Sequence, residues 1–536
     1  MEKVSQKSKV NPSARLRMTL SEVEWVKSQK FWNISWPDLL MIVILLLAAY
    51  LRLYNISGYM TFLGDEGRDA LVVKQMIVDH KWTLLGPTAS VGGFFLGPVY
   101  YYFMLPFLWA WRLDPTGPAV MVALFGIATV YLVYRAGREM YGAWVGLASS
   151  ALYALSPVVI AYSRSSWNPN IVPFFSLMTI YLLWKFAQDG KRRYVIGAGV
   201  CMGIGLQLHY LFLFLFPVAI VWILMYAGVR KRIKSIVFGL TGFLAGYAPF
   251  LLFELRHGFP NTQSIVQFVL AGKDTSLAGE KYRIIIQDIL FRLVGRLILR
   301  LPQPETWARI PQWQQGIWQW GIVGLLIAGI GVLLIRAHPA RPAASRSASR
   351  ILLLWGIVVA GMFGFYKRAI YDYYFGIWFT LPFLVTGLVL QGLKQMRWIG
   401  FMGSLALLAW LLWWNWKGQP FQYPPNNQLA QARSIAREAY DKTGGKPYNF
   451  ALVTQGNSDH VYRYFFEIWG NPPTVIEPEF KDPERKTVTD QLIVICEVPQ
   501  CKPLGHPLWE IAGFGAATIS GTWNNPFVTI HKLVHL

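Results

Sequence analysis

The chain has 536 residues, of which 54% are hydrophobic and only 15% are charged. This balance excludes an ordinary soluble domain and is typical of a protein that folds in a lipid bilayer. The formal net charge is +22. The lysines and arginines form short clusters between apolar runs rather than one basic face, so we expect a membrane protein that binds no nucleic acid.

The chain begins with a polar, basic segment, residues 1–36, which holds seven lysines and arginines. No cleavable secretory signal is evident in it, so we expect this segment to stay cytoplasmic and the first apolar run to act as a signal anchor. A transmembrane domain is predicted over residues 37–417. Its apolar runs predict about eleven spans, near residues 38–54, 117–135, 142–161, 170–187, 195–209, 211–228, 236–253, 317–336, 351–366, 375–392 and 398–416.

One aromatic segment, residues 94–111, is ambiguous. It is apolar enough to span, but Gly97, Pro98 and Pro106 interrupt its helical pattern. If it does not cross, the basic clusters between the spans all face the cytoplasm, and if it crosses they face outward. The positive-inside rule therefore favours a juxtamembrane or re-entrant element. The long outer loops are then predicted at residues 55–118 and 254–315, and short outer turns at residues 162–168 and between the spans 351–366 and 375–392.

The character of the chain changes after residue 417. Residues 418–536 have mixed charge, short alternating runs at 450–454, 492–496 and 527–531 predict strands, and residues 428–440 predict a helix. We expect a small extracytoplasmic α/β domain appended to an all-α polytopic protein of the plasma membrane. Cys496 and Cys501 lie close together in this domain. A disulfide bond is one expectation, and two independent thiols are the alternative.

Three acids open the first outer loop: Asp65, Glu66 and Asp69, with Arg68 between them. Acids beside a membrane are costly and usually functional. A carboxylate at this point is able to take the proton of a hydroxyl that attacks an anomeric carbon. The alternative is a solvated helix start, in which Asp65 is the N-cap and the other acids favour the dipole of a helix that runs to Val78.

A basic N-terminus, one span and then Asp65-Glu66 in a long outer loop that ends in an aromatic juxtamembrane element resemble the GT-C superfamily of membrane glycosyltransferases. The closer similarity is to the protein mannosyltransferase-like (family 39) and lipid A aminoarabinose transferase-like (family 83) enzymes. The resemblance covers about residues 36–416. Further pieces of the pattern follow in order: Ser156-Pro157, Tyr162-Ser163-Arg164, the turn Phe253–His257, and Tyr371–Phe375 followed by Pro382.

This resemblance implies an inverting transfer of a sugar from a polyprenyl phosphate donor to a glycan, lipid or protein acceptor. It implies that Asp65 is the catalytic base and that Glu66 orients the acceptor or a water. One position departs from the pattern: many relatives have a second acid where this chain has Asn168. Asparagine accepts a hydrogen bond but holds no negative charge, so a divalent metal is possible but not favoured.

A phosphate-linked donor needs cations, and four of them stand in the predicted outer loops. We expect Arg164, Arg256, Lys367 and Arg368 to bind the donor phosphate, with interfacial snorkelling as the alternative. For the two histidines among the remaining candidates, a hydrogen-bonded structural role is the alternative. These further substrate-binding candidates are Asp69, Asn168, His209, His257, Tyr371, Asp372 and Tyr373.

The apolar stretch at residues 284–301 carries an arginine at every fourth position: Arg292, Arg296 and Arg300. This spacing places all three on one helical face. Three arginines make a span unfavourable, so we expect a helix in the outer interface whose basic face meets lipid headgroups or a lipid phosphate.

Two other functions compete with an enzyme: a polytopic transporter or lipid flippase, and a structural or sensory protein whose C-terminal domain binds a partner. A transporter buries ionisable groups near the bilayer midplane and often shows a repeated half. No internal repeat is found in this sequence. The acids gather at one predicted face, which favours the enzyme: Asp65, Glu66, Asp69, Glu254 and Asp372.

Overall fold

The computed structural model describes residues 35–89, 92–270 and 281–536, so the predicted cytoplasmic segment lies almost wholly outside the described residues. From residue 36 to residue 416 the described chain is mostly helical. Its helices are α1 (Trp36–Leu53), α2 (Ile56–Tyr59), α3 (Gly64–Val78), α4 (Val99–Ala110), α5 (Thr116–Tyr141), α6 (Ala143–Leu155), α7 (Pro157–Tyr162), α8 (Val172–Asp189), α9 (Arg192–Leu208), α10 (Leu215–Tyr226), α11 (Arg232–His257), α12 (Pro260–Leu270), α13 (Lys281–Ile298), α14 (Pro304–Trp307), α15 (Gln312–Ala337), α16 (Ala343–Phe363), α17 (Leu381–Lys394) and α18 (Arg397–Trp416).

Each of the predicted spans coincides with one or two of these helices. Seven helical segments of the described chain are long and apolar enough to cross a membrane, and shorter apolar helices stand between them. Large apolar side chains point outward from the long helices: Leu240 of α11 is 52% exposed and Ile330 of α15 is 49% exposed. Such surfaces are stable when lipid covers them. The predicted fold class, a multi-pass helical membrane protein, is confirmed.

The ambiguous aromatic segment forms α4, which is only 12 residues long and contains Pro106. At 1.5 Å per residue this helix is about 18 Å long, well short of the roughly 30 Å hydrocarbon core. Its N-terminal end is covered by protein, since Tyr100 and Tyr101 are buried, whereas Trp109 and Trp111 at its C-terminal end are exposed. These dimensions agree with a juxtamembrane element.

The predicted interfacial helix is α13, but its arginines do not face outward together. Arg292 and Arg296 both form ion pairs with Asp372. Arg300 lies just beyond the helix and donates to the Trp414 carbonyl. The expected contact of this basic face with headgroups is therefore wrong for Arg292 and Arg296, because the sequence spacing identifies the shared face but not the acid that packs against it.

The C-terminal part contains the expected mixed α/β fold. Its strands form one sheet in the order β1-β2-β4-β3, with β1 and β2 parallel and the other pairs antiparallel. The strand β3 was not predicted, and the strand expected from residue 527 begins two residues later. The elements are α19 (Gln428–Lys442), β1 (Asn449–Val453), α20 (His460–Ile468), β2 (Gln491–Cys496), α21 (Trp509–Ala512), β3 (Ala517–Asn524) and β4 (Thr529–His535).

The C-terminal part packs directly on the first outer loop. Phe62 lies in one hydrophobic core with Tyr464 and Phe465 of α20. The Tyr464 hydroxyl donates to the Leu113 carbonyl at 2.6 Å, and α20 lies along α3 so closely that a Cβ at Gly67 would be 2.7 Å from the His460 backbone. The segment that carries Asp65, Glu66 and Asp69 therefore lies between the transmembrane helices and the C-terminal part of the chain.

Candidate active site

The helix α3 presents Asp65 in its first turn. The helix begins at Gly64, so the flanking residue is Leu63, whose side chain has no hydrogen-bond acceptor. The alternative that Asp65 is the N-cap is therefore wrong. The Asp65 side chain is 55% exposed, and Arg68 contacts it at 2.8 Å from the next turn of the helix. The carboxyl group of Asp65 is thus accessible to a substrate.

Glu66 and Asp69 are buried beside it. The Leu63 amide donates to Glu66 Oε2 at 3.0 Å, and burial raises the Glu66 pKa to about 7, with Asp65 and Asp69 acting in the same direction. Burial also raises the Asp69 pKa to about 6, although Arg68 opposes that shift. Near neutral pH, Glu66 is therefore able to hold or release a proton.

A cavity of about 480 Å³ lies in front of these acids. Its volume is within the range of small-molecule sites. Three parts of the chain form its walls: the start of α3, the segment that follows α7, and a loop between β1 and α20. The lining residues are Thr61, Leu63, Gly64, Asp65, Glu66, Ala161, Tyr162, Ser165, Trp167, Asn170, Gly456, Asn457 and Ser458. We name this the acidic cavity.

Sequence reasoning missed the cavity residues on the third wall. The run Gly456-Asn457-Ser458 is polar and follows β1 directly, and loops at the carboxyl ends of parallel strands often bind ligands. The position of this run after a strand is visible in the sequence. Its contact with Gly64, which lies 393 residues before Asn457 in the chain, is not.

The four predicted phosphate-binding cations are divided between two environments. Arg164 is buried and donates to the carbonyls of Leu51, Tyr54 and Asn55 at the end of α1. Its guanidinium thus completes the backbone hydrogen bonding of a helix end. These donors are therefore occupied by carbonyls rather than offered to a phosphate. The other three cations, Arg256, Lys367 and Arg368, are exposed.

A second cavity of about 410 Å³ is almost entirely apolar. Its lining includes Phe94, Tyr210, Phe250 and Tyr366. Lys367 and Arg368 follow Tyr366 in the chain, and Arg256 follows Phe250 on α11. Lys367 and Arg368 are thus sequence neighbours of the apolar wall, whereas Arg256 is six residues away from it. We name this the apolar cavity.

Aromatic rings connect the two cavities. Tyr373 lies 4.5 Å from Trp167 of the acidic cavity, measured between ring centroids. Tyr374 lies next to Tyr373 and contacts both Tyr210 and Tyr366 of the apolar cavity. This chain of rings brings two of the tyrosine candidates together: Tyr371 stacks on Tyr373.

The other substrate-binding candidates make mainly structural contacts. The Asn168 side chain donates to the Leu208 carbonyl at 2.6 Å, and the Leu211 amide donates to His209 Nδ1 at 3.2 Å. His257 contacts the Phe253 carbonyl through Nδ1. Asp372 is occupied by arginines of α13. Asp69 accepts hydrogen bonds from Arg68 and from the Tyr101 hydroxyl. Its contacts therefore hold Arg68 and Tyr101 in place.

Within the described chain, one group of three potential metal ligands lies close together: Cys496, Cys501 and His531. Its two cysteines form a disulfide bond. The group lies outside the acidic cavity, so the expectation about a divalent metal at the acidic loop stays a prediction.

Part of the chain matches a family of glycosyltransferases. Residues 98–253 match the family described as dolichyl-phosphate-mannose-protein mannosyltransferase. Two curated relatives from Bacillus subtilis (strain 168) are named putative mannosyltransferases. YkcB is 25% identical over 210 residues, which are 38% of this chain and 29% of that protein. YycA is 24% identical over 122 residues, which are 22% of this chain and 18% of that protein. The chain thus matches less than a third of either relative.

The fold has a match over nearly the whole chain. ArnT from Cupriavidus metallidurans, solved with undecaprenyl phosphate, aligns with a TM-score of 0.62, covering 92% of this chain and 97% of ArnT at 12% identity. The family match and the Bacillus subtilis relatives, together with this shared fold, confirm the predicted resemblance to the GT-C membrane glycosyltransferases. The family match begins at residue 98, after Asp65 and Glu66. The roles of these two acids are therefore proposals.

Proposed function

We propose that this chain, a multi-pass membrane protein with the fold of ArnT and a partial mannosyltransferase match, transfers a sugar from a polyprenyl phosphate donor to an extracytoplasmic acceptor. The observation that carries the proposal is the neighbourhood of the two cavities. One contains the carboxyl groups of Asp65 and Glu66, and the other is apolar, with Lys367 and Arg368 directly after its wall residue Tyr366 in the sequence. A lipid-linked sugar has the same division into a polar head and an apolar tail.

In the proposed reaction, the prenyl chain occupies the apolar cavity and the sugar occupies the acidic cavity. The acceptor hydroxyl passes its proton to Asp65 while its oxygen forms a bond to the anomeric carbon. The bond from that carbon to the phosphate oxygen breaks, and polyprenyl phosphate leaves. Attack opposite the phosphate inverts the anomeric carbon.

The leaving phosphate gains negative charge as its bond to the sugar breaks. Arg256, Lys367 and Arg368 are proposed to stabilise that charge. Lys367 and Arg368 directly follow Tyr366 of the apolar cavity in the sequence, and Arg256 is six residues after Phe250 on α11. ArnT binds undecaprenyl phosphate, and a donor lipid of the same class suits the apolar lining here. Glu66 is proposed to hold the acceptor through its carboxyl group.

The proposed orientation puts the N-terminus in the cytoplasm and the C-terminal sheet outside, where the disulfide bond is stable. A phosphatase fused after residue 417 should be active, and one fused at Asp189 should be inactive. The reverse pattern would overturn the orientation.

The function is tested with purified protein and a panel of radiolabelled polyprenyl phosphate sugars. We expect one donor to lose its label to an added acceptor or to water, and we expect Asp65→Asn to stop that release. If label crosses the membrane of reconstituted vesicles without leaving the lipid, the flippase alternative is correct instead. Release that is equal in wild type and Asp65→Asn would remove Asp65 as the base.

A further inference from the structure

The first backbone amide of α3, that of Gly64, is satisfied from outside the helix. Leu63 offers no side-chain cap, and the Gly64 amide donates instead to Asn457 Oδ1 at 2.9 Å. The same oxygen accepts the Ser458 amide at 2.9 Å. The approach is close, because a Cβ at Gly64 would lie 2.2 Å from Ser458 Oγ. A side chain of the C-terminal sheet domain therefore caps the helix that carries Asp65.

A half-buried network determines which way the Asn457 amide points. Its Nδ2 donates to Glu497 Oε1 at 3.1 Å. The same carboxylate accepts the Tyr462 hydroxyl and the Thr454 hydroxyl, each at 2.7 Å. Because a carboxylate is an acceptor only, the NH₂ of Asn457 must face Glu497 and its carbonyl oxygen must face Gly64.

We propose that Asn457, oriented by Glu497, is a positioning residue for Asp65. The hydrogen bond to Gly64 holds the first turn of α3 in register with the acidic cavity, where both Asp65 and the loop Gly456–Ser458 are wall residues. Loss of the bond frees that turn, and Asp65 then spends less time within reach of the acceptor hydroxyl. This inference rests on the proposed transferase function for its catalytic consequence, but not for its structural one.

The structural consequence is measured without any substrate. Asn457→Ala should increase hydrogen exchange of the Gly64 amide by about 2- to 30-fold, the range expected for loss of a helix cap. The matched control is Asn525→Ala, which removes an asparagine–glutamate hydrogen bond of the same kind, to Glu438, elsewhere in the C-terminal domain. Unchanged exchange at Gly64 in folded Asn457→Ala would overturn the proposal.

The catalytic consequence is measured as turnover and KM for the donor. Asn457→Ala should lower kcat by up to about 100-fold with little change in KM, because Asp65 is misplaced while donor contacts persist. The double variant Asn457→Asp with Glu497→Gln reverses the donor and the acceptor of the pair yet keeps an acceptor for Gly64. It should recover part of the lost turnover and amide protection, because the one oxygen of glutamine replaces only one of the two that accept the Tyr462 and Thr454 hydroxyls.

The outcomes separate the inference from the function on which it rests. If exchange at Gly64 rises in Asn457→Ala but wild type releases no sugar from any donor, the proposed function fails and the positioning contact stands. If the double variant recovers neither turnover nor protection while folding like wild type, the orienting role of Glu497 is wrong. A fall in kcat equal to that of Asn525→Ala would show a general loss of stability rather than positioning.

Discussion

Glu66→Gln should stabilise the folded protein at alkaline pH, because Glu66 is a buried acid. Its pKa is raised from 4.5 to about 7, chiefly by burial. Ionising the side chain in the folded protein is therefore unfavourable by about 3 kcal/mol relative to the unfolded chain. Glutamine copies the neutral form and keeps an oxygen that accepts the Leu63 amide, so it removes this penalty without removing the hydrogen bond.

The sign of the effect follows from the raised pKa. Below about pH 4.5 Glu66 is protonated in both states and the two proteins should have similar Tm values. As pH rises from 4.5 to 7, the unfolded chain loses this proton before the folded protein does, so stability of the wild type falls and then stays lower. The Tm advantage of Glu66→Gln should therefore appear between pH 5 and pH 8.

The assay is thermal unfolding of detergent-purified protein at pH 5, 6, 7 and 8. The matched control is Glu484→Gln, because Glu484 is exposed in the C-terminal domain, and its Tm difference from wild type should not change with pH. A Tm difference for Glu66→Gln that is equal at pH 5 and pH 8, or largest at pH 5, would refute the buried-acid reasoning.

Three further predictions concern catalysis, donor binding and the disulfide bond. Asp65→Asn should lower the rate of transfer by about 10²- to 10⁴-fold with unchanged donor binding. The control Asp189→Asn, the same change at the C-terminal end of α8, should leave transfer and donor binding unchanged. Equal losses of transfer in the two variants would point to a folding defect. Lys367→Ala should raise the Kd for the donor measured by lipid binding, and an unchanged Kd would argue against a phosphate contact. Denatured, unreduced protein should contain one labelled thiol, and reduction should expose the Cys496–Cys501 pair as well; three thiols before reduction would contradict the bond.

Most of the membrane fold could be predicted because each span can be recognised from its own residues alone. The helix Trp36–Leu53 is uncharged from Leu39 to Leu51, and the bilayer requires its backbone to be helical whatever its neighbours are. The strand β3 carries no such local signal. Apart from Ile519 and Trp523, the residues of Ala517–Asn524 are small or polar. The strand is mostly exposed and has a register shift near Gly521, and only pairing with β4 makes it a strand.

The candidate site divides in the same way. Asp65 and Glu66 could be predicted because an acidic pair beside a span is visible in the sequence itself. The position of Arg164 could not, since its guanidinium faces three carbonyls more than a hundred residues away. The surroundings of Asp372 could not be predicted either. The acid is visible in the sequence, but its ion pairs with Arg292 and Arg296 of α13 are not.

The two neighbouring acids have different surroundings, and this difference suggests different roles for them. Glu66 is buried, with a pKa of about 7, so at neutral pH a large fraction of it is protonated and able to donate a hydrogen bond to an oxygen. Asp65 is mostly exposed, and its carboxyl group accepts a hydrogen bond from Arg68 at 2.8 Å. Adjacent positions in one helical turn thus offer a donor and an acceptor to the same cavity. Inverting transfer needs both: a base for the attacking hydroxyl and a partner that holds it in line with the anomeric carbon.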